Sequence, residues 1–132
     1  MSLTPLLDAP AATQLHAFAA MTAFAWGLVQ LVAPKGTLPH RTIGWTWVAL
    51  MLIVAASSFW IHNMKLWGIW SPIHLISIFV LVMLPLAVLA AHRHDVRRHQ
   101  RAMISLFAGA LLIAGIFTLA PGRIMHAVVF GN

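Results

Sequence analysis

Residues 71–92 read SPIHLISIFVLVMLPLAVLAAH, and this stretch decides the class of the protein. A helix needs about 20 predominantly apolar residues to cross the ~30 Å hydrocarbon core of a bilayer. The stretch has that length and contains no aspartate, glutamate, lysine or arginine. Pro72 stands near its start, where a helix tolerates proline because the first N–H groups have no partner inside the helix. The stretch therefore predicts a membrane-spanning helix.

The rest of the chain has the same character. Hydrophobic residues make up 61% of the sequence and charged residues only 8%, whereas a soluble chain of this length needs far more polar surface. Four runs are long enough to span a bilayer, at about residues 14–33, 42–62, 69–91 and 102–120, and a short interfacial tail follows at 123–130. We expect an all-α integral membrane four-helix bundle, which forms a single transmembrane domain over residues 1–132.

Basic residues determine the predicted topology. Six of them lie in or beside the first and third loops: Lys35, Arg41, Arg93, Arg97, Arg98 and Arg101. The positive-inside rule puts these loops in the cytoplasm and both termini on the outer, periplasmic side. Membrane topology thereby explains the net charge of +6, and we expect no nucleic-acid partner. The interpretation is a multi-pass protein of the bacterial cytoplasmic (inner) membrane.

The eight histidines are the main functional signal in this apolar chain. On the predicted topology His16 and His74 lie at the outer ends of spans one and three. His40 and His99 open spans two and four on the inner side. One histidine pair in each leaflet, contributed by alternate helices, is the arrangement that a two-haem membrane cytochrome needs. His92 lies five helical turns from His74 on the same face of span three, so it competes for the inner site.

The chemistry around these histidines favours haem over other cofactors. The chain has no cysteine, which excludes iron–sulfur clusters and covalent c-type haem. Arginine side chains near the inner histidines suit haem propionates, quinone carbonyls or lipid phosphates as charge-assisted donors, and lipid phosphates are the default among these. We expect one or two non-covalent haem b groups and no catalytic residue. The candidate cofactor-binding residues are the iron ligands His16, His74, His40 and His99, with His92, Arg41, Arg98 and Arg101.

One face of the first span consists mainly of small residues. His16, Ala20, Ala23, Gly27 and Gln30 recur at helical spacing and share this face. A histidine followed by small residues leaves room for a flat macrocycle beside the backbone. Small residues equally allow two membrane helices to pack closely. Both interpretations of this face are open from the sequence.

Several short motifs carry a resemblance to a known family. The sequence from about residue 15 to 125 resembles the small bacterial membrane proteins of domain-of-unknown-function family 2306. The motifs are His16 in span one, His-Arg-x-x-Gly at 40–44, Ser-Pro-Ile-His ending at His74, Arg-His-x-x-x-Met at 98–103 and Pro-Gly-Arg at 121–123. This resemblance implies a four-helix membrane protein and, by itself, no established activity.

A weaker, architectural resemblance concerns the histidine pairs. Their alternation over four helices is similar to the core of the di-haem b-type cytochromes of the ascorbate-reducible kind. In those proteins helices one and three hold one haem, and helices two and four hold the other. The histidines of the present chain lie closer to the helix ends than that pattern has them.

Two classes of function follow as expectations. The first is a b-type cytochrome-like electron-transfer protein or subunit, rather than a stand-alone enzyme, with bis-His haem and with a quinone or a membrane protein as partner. The alternative is a non-catalytic four-helix protein that serves as an accessory or assembly subunit of a larger membrane complex, or that forms a homo-oligomer. A third interpretation is a copper or zinc site built from His16, His62 and His74.

Overall fold

The described part of the protein is entirely helical. The computed structural model describes residues 1–61 and 71–131, and within these ranges it contains no strand. Its helices are α1 (Thr4–Leu7), α2 (Ala11–Val32), α3 (Leu38–Ser58), α4 (Pro72–His92), α5 (Val96–Thr118) and α6 (Ile124–Phe130). Helices α2, α3, α4 and α5 are each long and apolar enough to cross a membrane. The prediction of an all-α protein with four candidate spans is confirmed.

Two of the long helices begin four or more residues earlier than their apolar runs. Helix α3 begins at Leu38 instead of about residue 42, and α5 begins at Val96 instead of about residue 102. Side-chain caps explain both starts. Thr37 accepts a hydrogen bond from the His40 N–H at 3.3 Å, and Asp95 accepts one from the Arg98 N–H at 3.1 Å. His40 and His99 consequently lie inside helices.

The four long helices form a closed ring of neighbours. Helix α2 packs on α3, α3 on α4 and α4 on α5, and α5 returns to α2 through its central segment. Helices α2 and α4 therefore lie on one diagonal of the bundle, and α3 and α5 lie on the other. The core between them contains mainly aliphatic side chains and alanines, with Trp47, Met51, Leu84 and Leu106 among the largest.

The two ends of the bundle differ in character. The start of α2, the end of α3 and the start of α4 form what we call the termini end, where α1 also packs on α6. The Ser2 N–H donates to the Val128 carbonyl at 3.0 Å and ties the two short helices together. The opposite end carries residues 33–37 and 93–95, and we call it the arginine end. That the arginine end faces the cytoplasm stays a prediction.

The turn after α4 requires an unusual backbone conformation at a histidine. His94 has φ 56°, in the left-handed region that glycine adopts most easily. The N–H of Asp95 donates to the Ala90 carbonyl at 2.9 Å, and the N–H of His94 donates to the Ala91 carbonyl at 3.1 Å. These two bonds are those of a Schellman motif, which closes the end of a helix. His94 therefore serves the turn between α4 and α5.

Replacing His94 with glycine should stabilise the protein. Glycine adopts the left-handed region without steric cost, so His94→Gly should raise the free energy of unfolding by about 0.5–1 kcal/mol. Thermal unfolding in detergent, followed by circular dichroism, measures the effect. The control is Arg93→Gly, because Arg93 has a negative φ of −85° and gains nothing from glycine. Equal loss of stability in both variants would contradict the expectation.

Candidate functional site

His16 belongs to α2 at the termini end and reaches the backbone of α3. Its Nδ1 lies 2.9 Å from the Val54 carbonyl oxygen and 3.2 Å from Ser57 Oγ. A carbonyl oxygen only accepts hydrogen bonds, so Nδ1 carries the proton and the lone pair of the neutral ring is on Nε2. Histidines that ligate metals through Nε2 are held in the same way, by an Nδ1–H bond to a carbonyl or carboxylate.

His74 occupies the first turn of α4, and its ring has the opposite tautomer. The side chain is buried, with 3% of its surface exposed, and stacks on Phe59 with the ring centroids 5.5 Å apart. The Ser71 N–H donates to Nδ1 at 3.1 Å, so the proton of the neutral ring is on Nε2. Ligation through Nε2 would require the proton to move to Nδ1 and the bond from Ser71 to break, at a cost of about 1 kcal/mol.

Three serines lie between His16 and His74. Ser57 contacts His16, and its neighbour Ser58 contacts Ser77 of α4 through the two hydroxyl oxygens. Ser77 lies one turn after His74 on the same face of α4. We call these five residues the serine–histidine cluster. The two predicted outer ligands thus lie at the same end of the bundle, on diagonal helices. His62, expected at this end, lies outside the described residues.

His99 at the arginine end repeats the arrangement of His16. Its Nδ1 lies 2.8 Å from the Ala87 carbonyl oxygen of α4, so Nδ1 carries the proton and Nε2 has the lone pair. His40 lies in the first turn of α3, at the same end of the bundle as the first turn of α5, which contains His99. The predicted inner pair therefore lies at one end of the bundle, on the helices of the second diagonal.

Gln30 also belongs to this inner group, although the sequence singled it out only as part of the small-residue face. Its Nε2 donates to the His40 carbonyl oxygen at 2.9 Å. Gln30 Oε1 and His40 Nδ1 are both buried and have no hydrogen-bond partner within the described ranges. Gly44 leaves room for the amide, because a Cβ at this position would lie 3.2 Å from Gln30 Nε2. The available signal was the position of an amide side chain at the inner end of the face that begins with His16.

The other inner candidates lie at the surface. His92 ends α4 and is exposed, and its ring centroid is 6.3 Å from that of Trp45 on α3. The structure thus puts His92 beside Trp45 of the neighbouring helix. Arg41, Arg98 and Arg101 are exposed at the same end, and their guanidinium groups form no hydrogen bond within residues 1–61 and 71–131. These three groups are therefore open to an anionic partner.

Aromatic side chains fill the middle of the small-residue face. The Trp47 indole N–H donates to the Ala23 carbonyl oxygen at 2.9 Å, inside the core. Phe107 stacks on Phe24 with the ring centroids 5.4 Å apart and lies directly over Gly27. Close packing is therefore what this structure has at the centre of the face. The polar residues at its two ends, His16 and Gln30, belong to the two histidine groups described above.

Phe107 opens a π-helical segment of α5. Residues Phe107–Ile113 are π-helical, between the α-helical parts Val96–Leu106 and Ala114–Thr118. Short π-helical segments within α-helices occur often at functional sites. Phe107, the first residue of the segment, contacts Phe24 and Gly27 of α2. FAGALLI is a regular apolar run, so no feature of the sequence signals this distortion.

The ligand sets available for a metal are small. Within residues 1–61 and 71–131 no group of three or more histidine, aspartate or glutamate side chains could hold a metal ion. The copper or zinc interpretation needs His62, which lies outside these ranges.

The fold and these groups define the class of the protein. It is an α-helical multi-pass membrane protein with histidine groups at both ends of its bundle. The chain belongs to the family described as "Predicted membrane protein (DUF2306)", whose model matches residues 13–130. No curated protein and no solved structure matches the chain.

Adding one methyl group at Gly27 should destabilise the bundle. A Cβ at this position would lie 2.5 Å from the Phe107 ring and 3.2 Å from Trp47 Nε1. Gly27→Ala should therefore lower the free energy of unfolding by about 1–3 kcal/mol, measured as thermal unfolding in detergent. The control is Gly115→Ala, because a Cβ there meets nothing within 4 Å. That variant should be neutral or more stable by up to about 1 kcal/mol, and equal losses in the two variants would refute the assignment.

Proposed function

We propose that this protein is a b-type cytochrome-like electron-transfer protein or subunit of the bacterial cytoplasmic membrane. Non-covalent haem b would be held by His16 with His74 at the termini end and by His40 with His99 at the arginine end. The observation that carries the proposal is the shared state of His16 and His99. Each donates from Nδ1 to a backbone carbonyl of the neighbouring helix, so each keeps an Nε2 lone pair suited to iron.

The chain's own residues have distinct parts in this proposal. The carbonyls of Val54 and Ala87 orient the two rings, and the apolar bundle excludes water from them. Arg41, Arg98 and Arg101 are available to bind the propionates, while His92 is the weaker candidate because it lies beside Trp45. His74 supports the proposal by its position and burial, and its tautomer would have to change on ligation. Bound haem supplies a one-electron redox couple, which a quinone or a membrane protein partner would use.

The test is an absorption spectrum of protein purified after expression with adequate haem supply. We expect a Soret band and a reduced-minus-oxidised alpha band. His16→Ala and His99→Ala should each remove about half of the haem if both sites are filled, and the double variant should remove all of it. The matched control is His126→Ala, because His126 also donates from Nδ1 to a carbonyl, that of Leu119, at 2.7 Å but lies outside both groups. Wild-type protein without either band would refute the proposal.

The second candidate function is that of a non-catalytic accessory or assembly subunit. The filling of the small-residue face by Trp47 and Phe107 favours it, because this bundle is closely packed without a cofactor at its centre. Its interactions would be with a larger membrane complex or with a second copy of the chain. The histidines would then serve as interhelical hydrogen-bonding groups.

A double substitution separates the two candidates. In a His16→Ala, His74→Ala variant the accessory role predicts unchanged assembly, measured as the size of cross-linked or native-gel species from membranes. The electron-transfer role predicts loss of the haem bands at the termini end in the same preparation. The accessory function would be supported if the double variant assembles normally and the wild-type protein shows no haem bands. Lost assembly together with lost haem would count against it.

A further inference from the structure

A groove on the membrane-facing surface is apolar along most of its length and has a polar residue at one end. It lies between α3 and α4, has a volume of about 320 Å³, and is lined by apolar side chains that include Val48, Leu52, Pro85 and Val88. Leu52 is 45% exposed, so the groove opens outward and not into the core. Among the described residues that line the groove, only His92, the last residue of α4, is polar. An occupant would thus have a long apolar part and a polar group at the arginine end.

The rim of the groove at this end is cationic. Trp45 of α3 lies beside His92, and Arg41 precedes Trp45 by one helical turn on the same face. Arg93 follows His92 directly. No carboxylate within the described residues forms an ion pair with either arginine, and the Asp95 side chain instead accepts the N–H of Arg98. The polar group of an occupant should therefore be an anion.

We propose that this groove binds an anionic phospholipid, with one acyl chain along α3 and α4 and the phosphate between Arg41 and His92. The apolar lining accepts the chain, while the imidazole and the guanidinium are hydrogen-bond donors to phosphate oxygens. A zwitterionic lipid would bring an ammonium group to a rim that already carries two arginines. This inference rests on the groove and on the charges at its end, and it assigns Arg41 to the lipid phosphate, so that Arg98 and Arg101 on α5 remain for the propionates of the proposed haem.

Native mass spectrometry of the full-length protein tests the proposal. The protein is released from nanodiscs that contain equal amounts of phosphatidylglycerol and phosphatidylcholine, and the retained lipids are counted. One phosphatidylglycerol per chain should be retained, with about a fivefold preference over phosphatidylcholine for each cationic side chain at the phosphate. Arg41→Gln should lower the preference about fivefold. Val88→Trp should fill the groove and reduce the retention of both lipids.

Arg97→Gln is the matched control. It removes one charge from the same end of the bundle but lies on α5, which does not line the groove. The proposal requires this variant to keep the preference of the wild type. Equal losses in Arg41→Gln and Arg97→Gln would show only diffuse attraction to the membrane surface and would overturn the site. The proposal would also be overturned if an uncharged isoprenoid quinone displaces the lipid and Arg41→Gln does not change the lipid preference.

A folding defect in the groove-filling variant would not obscure the result. Gel filtration in detergent and circular dichroism identify such a defect in Val88→Trp. Arg41 and Arg97 are both exposed, so substitutions there leave the packed core unchanged. The comparison of Arg41→Gln with Arg97→Gln is therefore sufficient to test the proposal without Val88→Trp. A wild-type protein that shows no preference for the anionic lipid overturns the proposal.

Discussion

Three hydrogen bonds from ring N–H groups to backbone carbonyls of neighbouring helices hold this bundle in register. They run from His16 to Val54, from Trp47 to Ala23 and from His99 to Ala87. In hydrocarbon there is no water to satisfy a ring N–H, so each ring must find a partner on another helix. These three bonds join α2 to α3 and α4 to α5. These bonds specify the relative orientation of the paired helices, whereas apolar contacts are not directional.

The same bonds fix the chemical state of two histidines. A histidine in water exchanges its proton between the two nitrogens, whereas a carbonyl at 2.8–2.9 Å keeps the proton on Nδ1. His16 and His99 are on different helices and at opposite ends of the bundle, and yet both have this arrangement. His74 differs, because its Nδ1 accepts the N–H that begins its own helix. Helix packing thus gives the histidines unequal suitability as ligands, which a count of histidines cannot reveal.

The sequence predicted what depends on apolar length and missed what depends on local polar contacts. Four spans follow from the length of the apolar runs, because that length is set by the bilayer. The early starts of α3 and α5 were missed, since Thr37 and Asp95 cap polar turns that hydropathy alone assigns to loops. The pairing of Gln30 with His40 and the π-helical segment after Leu106 were also missed. The Gln30–His40 pairing is a contact between two helices and the π-helical segment lies in a regular apolar run, so neither has a periodicity of its own.

The packed centre of the small-residue face bears on where any cofactor would bind. His16 and Gln30 lie at opposite ends of this face, about 21 Å apart along α2 at 1.5 Å per residue. Between them Ala23 and Gly27 are covered by Trp47 and Phe107, so the middle of the bundle has no space beside α2 for a macrocycle. The two histidine groups are therefore separated by close-packed side chains and lie near the bilayer surfaces. Each can then be altered without repacking the other, so the two ends should behave as independent sites.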